Sequence, residues 1–116
     1  MGRLSTHVLD TSRGVPASGV AVELYFDPAG SGRKCLISTT TNSDGRTAEP
    51  LLTQLTPGTY ELLFRAGDYY RGLKLSLPEP PFLDEIVIRF NIFDSNANYH
   101  VPLLLSPYGY STYRGS

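Results

Sequence analysis

The chain has 116 residues with ten Lys and Arg against eleven Asp and Glu, a formal net charge of −1, one cysteine and no tryptophan. That length supports one domain, read as residues 1–116, and the near-balanced, mixed charge removes the electrostatic case for a nucleic-acid or anionic-membrane partner. The longest apolar run, 101–105, is broken by Pro102 and is far too short to span a bilayer.

Cys35 has no second cysteine to pair with inside one chain, and residues 1–7 lack the apolar stretch of a secretory signal. The reducing cytoplasm is therefore the expected compartment, with a periplasmic or peroxisomal one left open for a chain whose targeting segment has been removed. Eleven glycines and nine prolines are spread between short apolar segments, as turns between strands are. The expected fold class is all-β.

Residues 4–10 alternate Leu4, Thr6 and Val8 against Ser5, His7 and Leu9, which predicts an opening strand. Residues 11–19 read as a turn-rich connection. Val20, Val22, Leu24 and Phe26 then face away from Ala21, Glu23, Tyr25 and Asp27, a strand with one core side. Residues 27–32 break it, and Lys34 to Thr41 is a third strand, rich in β-branched residues.

Asn42 to Arg46 contains Asp44 and Gly45, the pair that supplies the left-handed backbone of a tight turn, and it places Arg46 directly after a fixed bend. A short edge strand is expected within 50–56. Tyr60, Leu62 and Phe64 share one face of a strand over 59–65, and Tyr69, Tyr70 and Leu73 at helical spacing predict one short helix within 67–75. Pro78, Pro80 and Pro81 stop it. Residues 84–92, 99–105 and 109–115 complete seven or eight strands, which fit a sandwich of two antiparallel sheets.

In the closing segment, period two puts Gly109, Ser111, Tyr113 and Gly115 on one mostly small face, and glycine inside a strand marks close approach of a ligand or another chain. His7 and His100 lie in strands at opposite ends of the sequence, where a sandwich allows them to meet. Each reads either as a hydrogen-bonded structural histidine or as a proton carrier near neutral pH. Arg46 reads as a surface arginine or as a planar, always charged clamp for a polar ligand. Zinc spacing, a nucleophile elbow, a phosphate loop and a dinucleotide fingerprint are all missing from the sequence. An enzyme of this composition is expected to be cofactor-free, with no metal, and to work with His, Arg and water.

Three stretches carry a family resemblance: LSTHVLDT over 4–11, TNSDGR over 41–46, and YHVPLLLSP over 99–107 followed by YSTYRGS over 110–116. They resemble the 5-hydroxyisourate hydrolases, or transthyretin-like proteins, and the last stretch resembles the ending that separates those hydrolases from the hormone carrier transthyretin. The resemblance implies a transthyretin (prealbumin)-like two-sheet sandwich of seven to eight strands with one short helix. It also implies a homotetramer, a dimer of dimers, whose central channel holds the sites.

The resemblance places His7, Arg46, His100 and Ser116 as catalytic residues, with Tyr113, Arg114 and Gly115 at the substrate beside Ser111 of the small face. The implied reaction is hydrolysis of 5-hydroxyisourate to 2-oxo-4-hydroxy-4-carboxy-5-ureidoimidazoline in urate breakdown. The histidines would deprotonate water, Arg46 would stabilise the oxyanion, Tyr113 would wall the site, and Ser116 would donate or relay a proton. One departure stands out, since many members have a second histidine where this chain has Asn98. Two rival readings share the fold: a small-molecule carrier like transthyretin, and a non-catalytic prealbumin-like structural module.

Overall fold

A computed structural model describes residues 2–28 and 32–115 of the chain. Ser116 and positions 29–31 of the predicted break lie outside the described residues. The elements in chain order are β1 (Leu4–Ser5), β2 (Val8–Asp10), β3 (Val15–Pro16), β4 (Ala21–Asp27), β5 (Lys34–Thr40), β6 (Gly58–Arg65), α1 (Ala66–Gly72), β7 (Glu85–Ile92), β8 (Tyr99–His100), β9 (Leu103–Ser106) and β10 (Gly109–Thr112). Two four-stranded sheets, β5-β4-β6-β7 and β10-β9-β2-β3, pack face to face, and a two-stranded β1-β8 pair continues the second.

The first sheet follows the alternation closely. Val20, Val22 and Leu24 reach the core from the β4 segment, Tyr60, Leu62 and Phe64 from β6, and Ile86, Ile88 and Ile92 from β7. Register explains why these sets coincide: Leu24 stands opposite Leu62, which stands opposite Ile88, so one apolar row crosses three strands. Burying each such side chain contributes roughly 1.5–3 kcal/mol, and the row packs against Leu4, Val8, Leu103 and Leu105 in one shared core. The opposite face carries ion pairs, Arg65 with Glu23 and Glu85, and Arg33 and Arg89 with Glu61. Pairs of this kind are worth about 0–1 kcal/mol each, so they set register and solubility more than stability. β5 is an edge strand with most of its residues exposed.

The second sheet departs from the antiparallel expectation, because β2 pairs with β9, and β1 with β8, in parallel. These partners are almost a chain length apart, and local pattern carries no information on their direction. The predicted strand over 99–105 is split at Pro102. On the side toward the N-terminal strand the ladder is unbroken, with Tyr99 N donating to Arg3 O at 2.8 Å, Val101 N to Ser5 O at 2.9 Å and Leu103 N to His7 O at 2.9 Å. Residue 102 would direct its N–H the other way, toward the closing segment, so a proline is tolerated there.

The closing strand is shortened for the same reason. β10 pairs with β9 as far as Thr112 opposite Leu103, and the Thr112 hydroxyl then donates to Pro102 O at 2.7 Å. Two irregular residues follow before Gly115 forms a bridge with His100.

The 11–19 connection contains β3, two residues long, on the edge beside β2. The edge strand expected within 50–56 is replaced by irregular chain, in which Leu52 meets Leu4 through one isolated bridge. The short helix is present, with Tyr69 and Tyr70 buried and Leu73 packed against the core. It is tied to β2 by Asp10, whose side chain is wholly buried. Its Oδ1 accepts from Ser12 N at 3.1 Å, Ser12 Oγ at 2.6 Å and Arg13 N at 3.2 Å, and its Oδ2 from Tyr69 Oη at 2.7 Å. Among the described residues, no helix is long and apolar enough to cross a membrane.

Candidate active site

The turn over 42–46 builds the first half of the site. Asn42 N donates to Arg46 O at 2.8 Å and Gly45 N to Asn42 O at 2.9 Å, while the Asn42 side-chain oxygen accepts from Asp44 N at 2.9 Å and Arg46 N at 3.2 Å. Gly45 has φ +75°, and a Cβ there would sit 2.3 Å from the Val8 carbonyl, so only glycine fits both the backbone and the space. The tight approach lets Val8 N donate to Gly45 O at 2.8 Å, docking the turn onto the N-terminal strand. His7 and Arg46 thereby become bridge partners.

That docking also fixes the His7 ring. Its Nε2 lies 2.8 Å from Asp44 O. A carbonyl can only accept, so Nε2 carries the proton, and in the neutral ring Nδ1 is the basic nitrogen. Arg46 is exposed, and a hollow of about 190 Å³ opens beside it, lined by Ser5, Thr6, Arg46, Thr47, Ala48, Glu49 and Pro50.

His100 forms the second half. Ser5 and His100 are register partners in the β1-β8 pair, and Ser5 Oγ and His100 Nδ1 are hydrogen-bonded at 2.8 Å. On its other side, Gly115 N donates to His100 O at 2.6 Å and His100 N to Gly115 O at 3.3 Å. The imidazole pKa is lowered from its ordinary 6.5, first by burial, then by the Arg46 charge and by His7. The cause is direct: a protonated ring loses water and stands near the fixed positive charge of Arg46. The shift favours the neutral ring. The backbone brings the three residues together: His7 and Arg46 are bridge partners, and Ser5, two residues from His7, pairs with His100.

Of the other predicted residues, Gly115 is tightly engaged. A Cβ there would lie 3.1 Å from both Cβ and Cδ2 of His100, so the close approach that glycine permits is to the histidine itself. Ser111 is exposed and stands opposite Leu104, which stands opposite Leu9, so it shares the outer face on which His7 lies two residues away. Tyr113 and Arg114 line a different hollow of about 260 Å³, with Phe90, Phe93 and Tyr99. Arg114 donates to Asn98 O at 3.1 Å and lies 4.4 Å over the Tyr99 ring, while the Asn98 side chain accepts from Arg3 N at 3.1 Å. Within the described chain this set clasps the closing segment to the Leu4/Tyr99 end of the parallel β1-β8 pair. Ser116 lies outside the described residues.

Ser5 was absent from the predicted site, although a signal for it existed. With period two it shares the face of His7, and only its partner on a distant strand gives that position meaning. In the sequence Asn42 opens a turn, and its role in holding both Asp44 and Arg46 emerges from the folded turn. Among the described residues, no group of three or more His, Cys, Asp or Glu side chains is placed to hold a metal ion.

A transthyretin-like sandwich with two histidines and an arginine gathered on one sheet face defines the class of this protein. The chain belongs to the HIUase/Transthyretin family, whose model matches residues 4–115. It is 52% identical to the 5-hydroxyisourate hydrolase of Pseudomonas aeruginosa over 118 residues, covering 100% of this chain and 93% of that protein. Among solved structures, the 5-hydroxyisourate hydrolase of Klebsiella pneumoniae superposes with TM-score 0.81 at 35% identity, covering 98% of this chain and 99% of that one. (S)-allantoin synthase superposes with TM-score 0.93 at 39% identity, and there this chain spans 99% of its own length but 44% of the other's.

Proposed function

We propose that this chain is a cofactor-free hydrolase that opens 5-hydroxyisourate to 2-oxo-4-hydroxy-4-carboxy-5-ureidoimidazoline, with residues 1–116 acting as one domain. The observation that carries the reading is the convergence of His7, Arg46 and His100, three residues from three distant segments, through the His7-Arg46 bridge and the pairing of Ser5 with His100. Full-length similarity to proteins named for this activity supports the substrate.

In the proposed reaction, water adds to a ring carbonyl, and the adjacent C–N bond then breaks with a proton delivered to the departing nitrogen. The water proton is taken by a neutral imidazole, either His7 through Nδ1, its Nε2–H being donated to Asp44 O, or His100. General-base assistance of this sort is worth about 10²–10⁴-fold. Arg46, anchored through its backbone at the turn, supplies a fixed positive charge for the oxyanion, a contribution of about 3–4 kcal/mol for a well-placed donor. The imidazolium that forms is then a strong enough acid to protonate the leaving nitrogen.

Gly115 supports the site by seating His100, and Ser111 lies on the same outer face. Ser116, Tyr113 and Arg114 complete it as part of a homotetramer, in which a neighbouring copy covers the exposed face. The open hollow beside Arg46 and the exposure of Tyr113 favour such a covering. A reducing cytoplasm suits the single exposed Cys35. The carrier reading is disfavoured by the polar character of the cluster, because hormone-sized ligands want an apolar lining.

The decisive experiment adds the protein to urate freshly oxidised by urate oxidase and follows the ultraviolet absorbance of 5-hydroxyisourate. Acceleration well above the spontaneous decay is expected; a decay no faster than spontaneous would sink the reading. Size measurement in solution tests the tetramer, and a fully active monomer would contradict it.

A further inference from the structure

The two histidines are held in different ways. His7 Nε2 is bound to a backbone carbonyl, which accepts and never donates, so its tautomer is dictated. His100 Nδ1 is bound to the Ser5 hydroxyl, which does either. That bond is the only ring hydrogen bond of His100 found among the described residues.

Ser5 is not needed for this to hold the fold. Its carbonyl accepts from Val101 N at 2.9 Å, and its strand is paired on both sides of the position, so the backbone is anchored whatever the side chain. The hydroxyl is half-buried, faces the outer side with His7, and contributes to the hollow beside Arg46. A side chain dispensable for the ladder, yet bonded to the ring at 2.8 Å, has its consequence at the ring.

We propose that Ser5 is a positioning residue for the hydrolysis: it accepts a hydrogen bond from His100 Nδ1–H and so holds Nε2 of His100 unprotonated as the atom that exchanges protons with substrate and water. This rests on the hydrolase reading above. With Nδ1–H donated to Ser5, the neutral ring has its lone pair at Nε2. When Nε2 takes the proton from water, the imidazolium keeps its Nδ1–H bond to the same oxygen. When it returns the proton to the leaving nitrogen, the starting tautomer is restored, so atoms and charge balance over one turnover. Without the hydroxyl, both neutral tautomers compete and the ring is free to rotate, so fewer molecules present a basic Nε2 at the right place.

The test uses the full chain with Ser5→Ala and Ser5→Thr. Ser5→Ala is expected to lower kcat about 10–100-fold, by analogy with the loss when partners that orient metal-ligating histidines are removed, with KM changed less than about threefold. Ser5→Thr, which keeps the hydroxyl, is expected to restore kcat. Nitrogen-15 NMR of His100 provides a readout that a structural role would not move: the Nδ1–H tautomer should dominate in the wild type and in Ser5→Thr, and give way to a mixture in Ser5→Ala. A folded Ser5→Ala with wild-type kcat beside an active wild type overturns the positioning role alone. So does a wild-type spectrum dominated by Nε2–H, or a loss confined to KM. A wild type that leaves 5-hydroxyisourate decay unchanged overturns the hydrolase reading, and the positioning role with it.

Discussion

Replacing Gly115 stepwise with Ala and Val tests how the site is assembled. A Cβ at this position would stand 3.1 Å from His100 Cβ, 3.1 Å from Cδ2 and 3.4 Å from Cγ. Carbon atoms settle about 3.5–4.0 Å apart, so the contact must relax by roughly 0.4–0.9 Å. Neither partner has a free direction to move: Gly115 N donates to His100 O at 2.6 Å, and the ring is bonded through Nδ1 to Ser5. A misplacement of 1 Å at a reacting group costs about 10²-fold, which scales to roughly tenfold for Ala and about 10²-fold for Val. Gly109 is the control, because a Cβ there meets only Ser106 Oγ at 3.8 Å. The assay is the rate of 5-hydroxyisourate decay, with the denaturant midpoint measured in parallel. Gly115→Val with wild-type turnover and an unchanged midpoint would refute the argument, and so would Gly109→Ala as damaging as Gly115→Ala.

Arg46→Ala removes one of the charges that depress the His100 pKa, so the ring should titrate closer to 6.5 by NMR, while turnover falls about 10²–10³-fold with the lost oxyanion donor. The folded state holds this proton less tightly than the unfolded chain. Stability is therefore lost as pH drops below 6.5 and levels off below the folded-state pKa, and Arg46→Ala should narrow that loss. An unchanged or lower His100 titration would contradict the assigned neighbourhood. Tyr69→Phe deletes the hydroxyl that donates to the buried Asp10 carboxylate at 2.7 Å, and should cost about 1.5–3 kcal/mol in denaturant unfolding with turnover unaffected. A variant as stable as the wild type would show that Asp10 does not tie α1 to β2 in the way described.

The sheet faces were legible because burial on one side imposes a period of two that survives in the sequence. Val22 and Leu24, or Ile86 and Ile88, need no partner to announce their side. The turn at Asn42 to Arg46 was equally local, since Asp44 and Gly45 specify a backbone that few other pairs allow. Pro102 announced an interruption, yet its consequence for the closing segment depended on which neighbour its missing N–H would have faced. The parallel direction of β1-β8 and β2-β9 was not legible, because the partners are separated by almost the whole chain.

The same division runs through the site. Residue type and family resemblance selected His7, Arg46, His100 and Gly115, and the chemistry of those side chains is a property of the sequence. Which nitrogen of each imidazole remains basic is not. It follows from Asp44 O lying against His7 and Ser5 Oγ against His100, two contacts created when the turn docks on the opening strand and when that strand pairs with the far end of the chain. A hydrogen bond between remote segments has no local signature, so the proton carriers were selected by the sequence, and the atoms that carry the protons were decided by the tertiary fold.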